Sequence, residues 1–215
     1  LCAEGEAVIF QIDCTSLADA VIGNADKGIS SIADLKGKKV AATSGTSAEI
    51  ILNLALKSAG LTSDDLEIVE MDANGMVSAM VSGNVDACAT WSPGTVTISE
   101  ALGDKTVWLA TNQDYINEAT FPSSFITTQK YADEHHDILV RFSRALQKAA
   151  DYRNEHIEEV AEMVAKQCEV DASTMLACVG EGNWTITSDF QKKALEDGTI
   201  QKYYENQQQV FIDGG

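Results

Sequence analysis

Basic side chains are scarce. Only 15 Lys and Arg stand against 33 Asp and Glu, for a net charge of -18. Such a chain repels phosphate backbones and anionic lipid surfaces, which excludes nucleic acid as a partner. The acidic excess serves solubility and says little about a site of a few atoms. No apolar run approaches the ~20 residues that span a bilayer, so no membrane insertion is expected. No initiator Met and no basic-then-apolar leader opens the chain. It starts at Leu1 and stops at Gly215 as a piece of a longer protein would. Low-complexity segments and repeats of fixed period are missing too. The five cysteines, Cys2, Cys14, Cys88, Cys168 and Cys178, are odd in number and match no zinc-site spacing. They read as buried small hydrophobes, with one disulfide as the alternative.

What is present is ordinary globular composition, 45% hydrophobic and 22% charged. The length fits one large domain or two small lobes. Val8–Ile12 and Ala20–Gly23 read as short strands, with Asp13–Ser16 as a loop between them. From Lys39 to Ala110 strands and helices alternate. Strands are expected at Lys39–Thr43, Leu66–Met71, Val85–Thr90 and Thr106–Ala110. Helices are expected at about 48–59, 74–82 and 96–102. Such alternation with short connections predicts an α/β sheet of mostly parallel strands. Ser124–Thr128 is one more strand, and helices follow. One is expected over about 133–153 on an apolar face of Leu139, Phe142, Leu146 and Ala149, and the next along Ile157, Val160, Val164 and Cys168. Asp171 and Ser188 are candidate N-caps for two more.

Two stretches could carry chemistry. Strand Lys39–Thr43 turns through Ser44, Gly45, Thr46 and Ser47 into an apolar helix. A helix start presents free N–H groups and a positive dipole end, which suit an anionic or polar ligand group. Gly45 permits close approach of the backbone, and Thr46 and Ser47 add hydroxyls. The plainer reading is a simple helix cap. No Walker lysine follows, so a nucleotide loop is excluded. Thr90-Trp91-Ser92-Pro93 ends another strand, and Trp91 could wall a cleft, since ligands of open α/β sheets bind at carboxyl ends of strands. The alternative is a core Trp. Asp86 reads as structural. His135, His136 and His156 read as surface residues. No nucleophile–base set is evident, so no catalytic residue, metal or cofactor is assigned.

The stretch DKGISSIADLKGKKVA, from Asp26 to Ala41, followed by a Gly/Ser/Thr turn and an apolar helix, resembles one family. It is that of the extracytoplasmic solute-binding proteins for nitrate, sulfonate, taurine and thiamine-pyrimidine precursors. AGLTSDDLEIVEMD, MVSGNVDACATWSPG and FITTQKYADEHHDILVRFSRALQKAADY continue the likeness, and EEVAEMVAKQCEVD carries it more weakly. The resemblance implies a type II periplasmic-binding-protein fold, α/β, with two lobes closing on ligand. Residues 23–118 would form the second lobe. Residues 1–22 and 119–215 would supply the crossovers and the C-terminal helices of the first lobe. The family's opening strands and helices are missing here, so Cys2 aligns inside a lobe and not at a lipid anchor. Ser44, Gly45, Thr46, Ser47 and Trp91 match ligand-contact positions of the family. Asp13, Thr15 and Phe121 fall near the crossovers beside the cleft floor.

The function implied is capture of a small organic or anionic solute outside the cytoplasm, for delivery to the membrane permease of an ABC importer, without catalysis. An incomplete lobe would expose sheet edge and apolar helix faces that favour self-association. The rivals are an enzyme on the same fold, such as a pyrimidine-precursor synthase or a lyase, and the sensing module of a regulator.

Overall fold

A computed structural model describes residues 7–116, 118–182 and 188–214. For Asp13, Cys14, Thr15, Ser188, Phe211 and Asp213 it describes the backbone alone, and Cys2 lies outside the described residues.

In chain order the strands and helices are β1 (Ala7–Thr15), β2 (Asp19–Asn24), β3 (Lys39–Ala42), α1 (Ser47–Ser58), β4 (Glu67–Glu70), α2 (Ala73–Val81), β5 (Ala87–Trp91), α3 (Gly94–Leu102), β6 (Thr106–Thr111) and β7 (Pro122–Thr128). Helices follow: α4 (Gln129–Glu134), α5 (His136–Glu155), α6 (Ile157–Cys168), α7 (Ala172–Ala177), α8 (Ser188–Glu196) and α9 (Thr199–Gly214). Five strands form one sheet in the order β4-β3-β5-β2-β6. β3 runs parallel to β4 and β5, and β2 runs antiparallel to both β5 and β6. Four of these strands therefore share one direction and β2 alone is reversed. The mostly parallel α/β sheet expected from the alternation is what forms.

Period-2 alternation divides the side chains between two cores. Val21, Val40, Ala42, Ala87 and Ala89 face α1, whose Ala48, Ile51, Leu52, Ala55 and Leu56 cover them. Ala20, Ile22, Ala41 and Cys88 face the other way, against Met76, Met80 and Ile98 of α2 and α3. The interior strands β2, β3 and β5 are largely apolar, as strands covered on both faces require, whereas the edge strand β4 keeps Glu67 and Glu70 exposed. Local chemistry sets the ends of the helices. The Thr46 hydroxyl accepts from the Glu49 amide at the start of α1, and Asp72 accepts from the Gly75 amide at 2.7 Å at the start of α2. Asp171 sits at the N-cap of α7 but makes no side-chain capping bond. Asp86 is structural: its Oδ2 accepts from the Lys39 amide at 2.9 Å and staples β3 at the end of the sheet away from Trp91.

Three expectations are corrected. Residues 13–15 are strand and not loop, because β1 pairs along its length with β7, from Ala7 opposite Thr128 to Thr15 opposite Pro122. The helix expected over 133–153 breaks at His135, which leaves helical geometry (φ -133°, ψ 35°) with its ring 4.4 Å from Tyr131. Cys168 is exposed, whereas Cys88 and Cys178 are buried, and all three are free thiols. The α5 face carrying Phe142 is not buried; Phe142 is 46% exposed and packs edge-on against Phe125 and tilted against Phe10. His136 and His156 are exposed and His135 half-buried.

Ile51, fully buried beneath the sheet, should be costly to truncate. Ile51→Ala is expected to lose about 2–5 kcal/mol in urea unfolding. Leu195→Ala, at a side chain 69% exposed, is expected to stay within about 0.5 kcal/mol of the parent.

Candidate functional site

β3 and β5 end at one edge of the sheet, and the reversed β2 begins there. Asp19 pairs with Trp91, and Ala20 pairs with Thr111, next to Asn112. A cleft of about 460 Å³ opens at this edge. Thr46 and Ser47 at the start of α1 line it together with Trp91 and Ser92 after β5. Ser16, Ala18 and Asp19 complete the lining. The volume lies within the range of small-molecule sites. The Ser92–Pro93 peptide is cis.

Asp19 is the organising group. Only 2% exposed, it accepts from the Ser47 hydroxyl at 2.7 Å and from the Asn112 side-chain amide at 3.0 Å. Its own amide donates to Asn112 Oδ1 at 2.6 Å, so Asn112 holds both ends of the residue. Burial pushes the Asp19 carboxyl above its ordinary value, and the bonds from Ser47 and Asn112 partly oppose that rise. A second carboxylate approaches through Ser92. Burial raises Glu181 too, and a bond from the Ser92 hydroxyl opposes the rise. Glu181 Oε2 is buried without a hydrogen-bond partner among the described residues.

The turn itself is occupied by the chain's own carboxylates. The Ser44 amide and hydroxyl donate to Glu70 at 2.9 and 2.8 Å, holding Glu70 below the usual carboxylate range. The Gly45 amide donates to Glu49 at 2.7 Å. The Thr46 hydroxyl donates to the Thr43 carbonyl at 2.7 Å. Donors expected to wait for a ligand are thus engaged within the protein. Gly45 has φ +75°, the left-handed region that this tight turn demands.

Of the residues singled out from the sequence, Thr46, Ser47 and Trp91 meet at the cleft. Ser44 and Gly45 are exposed on the outside of the turn. Phe121 is buried in the core under α1, and its carbonyl accepts from the Ser16 amide at 2.9 Å. The side chains of Asp13 and Thr15 fall outside the described ones, though β1 carries their backbone toward Ser16. Asp19, Asn112 and Glu181 were missed, and Ser92 was named only as part of the Thr90–Pro93 stretch. Among the described residues no histidine lines the cleft, and no three His, Cys, Asp or Glu side chains gather as a metal-binding group. Burial pushes the Cys88 thiol up to about 12 and Cys178 to about 11, which leaves both as poor nucleophiles.

The NMT1/THI5 like family model matches residues 14–160. The chain belongs to that family. A Brucella abortus protein, named as a candidate binding protein, is 34% identical over 213 residues, 99% of this chain and 66% of that protein. A Bacillus subtilis protein, named as a candidate aliphatic sulfonates-binding protein, is 29% identical over 187 residues, 86% of this chain and 55% of that protein. The chain thus spans about two thirds or less of the length of these relatives. Solved structures share the fold. The periplasmic aliphatic sulphonate binding protein SsuA of Escherichia coli superimposes with a TM-score of 0.65 at 22% identity, over 90% of this chain and 65% of that one. The desulfurization enzyme DSZB does so with 0.66 at 17% identity, over 100% and 74%. The periplasmic-binding-protein fold expected from the sequence is therefore the fold of this family member, and that fold also carries an enzyme.

Asn112→Ala removes both of the buried bonds that fix Asp19. It is expected to cost about 1–3 kcal/mol in urea unfolding, with the loss read as a lower midpoint at unchanged slope.

Proposed function

We propose that this chain is the ligand-capturing part of an extracytoplasmic solute-binding protein serving an ABC importer, and that it binds its ligand without transforming it. Thr46, Ser47 and Trp91 contact the solute, Ser44 and Gly45 shape the turn, Asp13 and Thr15 lie toward the cleft floor, and Phe121 supports it from the core through its carbonyl bond to the Ser16 amide. Residues 23–118 form one lobe, and 1–22 with 119–215 supply the crossovers and the helical part of the other. The reversed strand supports moving the lobe edge a few residues earlier, to Asp19. Closure of the lobes would expel water and strengthen the polar contacts at the cleft. A membrane permease would receive the closed form.

The observation that carries this reading is the cleft at the strand ends, walled by Trp91 and small hydroxyls and lined by no histidine among the described residues. The family membership and the names of the relatives support it. A second reading, an enzyme, has one observation in its favour: the likeness of fold to the desulfurization enzyme. The inert, buried thiols of Cys88 and Cys178 count against covalent chemistry at those positions.

A thermal-shift panel of sulfonates, taurine, nitrate, bicarbonate and aminopyrimidines, extended to cationic solutes, separates the two. Capture predicts a rise in Tm with one chemical class, about 2.7 kcal/mol of stabilisation at 100 times Kd, and recovery of the ligand unchanged by mass spectrometry. Trp91→Leu is expected to weaken that binding roughly 2- to 12-fold, the worth of a lost aromatic face at about 0.5–1.5 kcal/mol. A product mass appearing with turnover would sink the binding-only reading.

A further inference from the structure

We propose that the cleft selects a ligand whose head is a hydrogen-bond donor, a cationic or N–H-rich group such as an ammonium, amidinium or guanidinium, carried on a flat apolar body. The inference rests on the reading of the chain as a solute-binding protein and names the ligand class of that same site.

The direction of the hydroxyl protons decides it. A hydroxyl has one proton and two lone pairs, and once its proton is committed it meets a ligand as an acceptor. Ser47 donates to Asp19 Oδ1. Thr46 donates to the Thr43 carbonyl. Ser92 Oγ lies 2.6 Å from Thr95 Oγ1, with either hydroxyl able to donate, and the Glu181 carboxylate stands near it. With their protons committed, Ser47 and Thr46 meet a ligand as acceptors, Thr46 with the one lone pair that the Glu49 amide leaves. The Asp19 carboxylate bonded to Ser47 lines the cleft, and the Glu181 carboxylate near Ser92 adds a second acidic group. Among the described residues no Lys or Arg lines the cleft.

A sulfonate brings three acceptor oxygens, a negative charge and no donor. In this cleft its oxygens would face oxygens, and buried polar groups without partners cost free energy. The amides of Ser44 and Gly45, which could have served an anion, are already covered by Glu70 and Glu49. The first-turn N–H groups of α1, at Ser47 and Ala48, have no partner within the helix. They can serve at most two acceptor atoms of a ligand, fewer than the three oxygens a sulfonate offers. A cationic head reverses each of these terms. Its N–H groups find the Ser47, Thr46 and Ser92 oxygens, its charge is drawn toward two carboxylates, and Trp91 offers a face to a cation or a flat ring. The preference is a departure from the ligand in the names of the sulfonate-binding relatives.

The test uses two probes with one ring and opposite heads. Benzamidinium and benzenesulfonate are titrated into the purified protein by isothermal calorimetry at neutral pH. Benzamidinium is expected to bind at least tenfold more tightly. Asp19→Asn is expected to narrow that gap by about tenfold, with folding checked by circular dichroism; Glu181→Gln, at a more open position, should narrow it in the same direction. Equal or tighter binding of benzenesulfonate, binding of neither probe, or a gap unmoved in folded variants would each overturn the inference. Tight binding of benzenesulfonate alone would do so while leaving solute capture standing. Conversion of a bound cationic ligand to product would overturn capture while leaving the polarity of the cleft intact.

Discussion

Where β2 runs against its neighbours, the first residue of an interior strand reaches the sheet edge that β3 and β5 reach with their last. That residue is Asp19, and its carboxylate is held almost out of water opposite Trp91. Burying a carboxylate is costly unless it is hydrogen-bonded. The bonds from Ser47 and Asn112 offset that cost and tie three separate segments together: the start of β2, the start of α1 and the turn after β6. The shape of the cleft follows from this knot, since Ser47 and Trp91 stand where Asp19 and its strand pairing put them.

The same knot fixes the chemistry of the walls. A helix start with free amides and hydroxyls is a general anion seat, and such a seat is present in outline at Ser44–Ser47. Here Glu49, Glu70 and Asp19 occupy it from within the chain. What remains for a ligand is a set of lone pairs beside an indole.

Much of the architecture was legible. The alternation from Lys39 to Ala110 has short connections and clear turn residues, so each strand and helix stands near its expected place. Thr46, Ser47 and Trp91 were legible as cleft residues because carboxyl ends of strands are where α/β ligands bind. Asp19 was not, because the same rule looks at the last residues of strands and β2 is the reversed one. Nothing local to Asp19-Ala20-Val21-Ile22 gives the direction of the strand; it is set by long-range pairing with β5 and β6. Asn112 and Glu181 were missed for a related reason, as their roles depend on partners 93 and 89 residues away (112 - 19 and 181 - 92). Residues 13–15 read as a loop because a strand edge made by β7, over 100 residues on, leaves no trace in a window of ten. The helix break at His135 falls before the apolar period that begins at Leu139, and the half-exposed face of α5 shows that period and burial are separate facts.

The most direct test of this account is a carbon-detected NMR titration of the Asp19 carboxyl. Burial behind Ser47 and Asn112 predicts a midpoint above the ordinary 3.8. The sign follows from linkage: a carboxyl raised in the fold favours the folded state when protonated, so that contribution is full below 3.8 and is lost as pH rises through the folded value. In the same titration, Asn112→Leu should move the midpoint further up, because it removes a bond that favours the charged form. A midpoint at or below 3.8 in the parent protein would mean that Asp19 is in water or beside a cation, and would contradict the buried carboxylate on which the cleft is built.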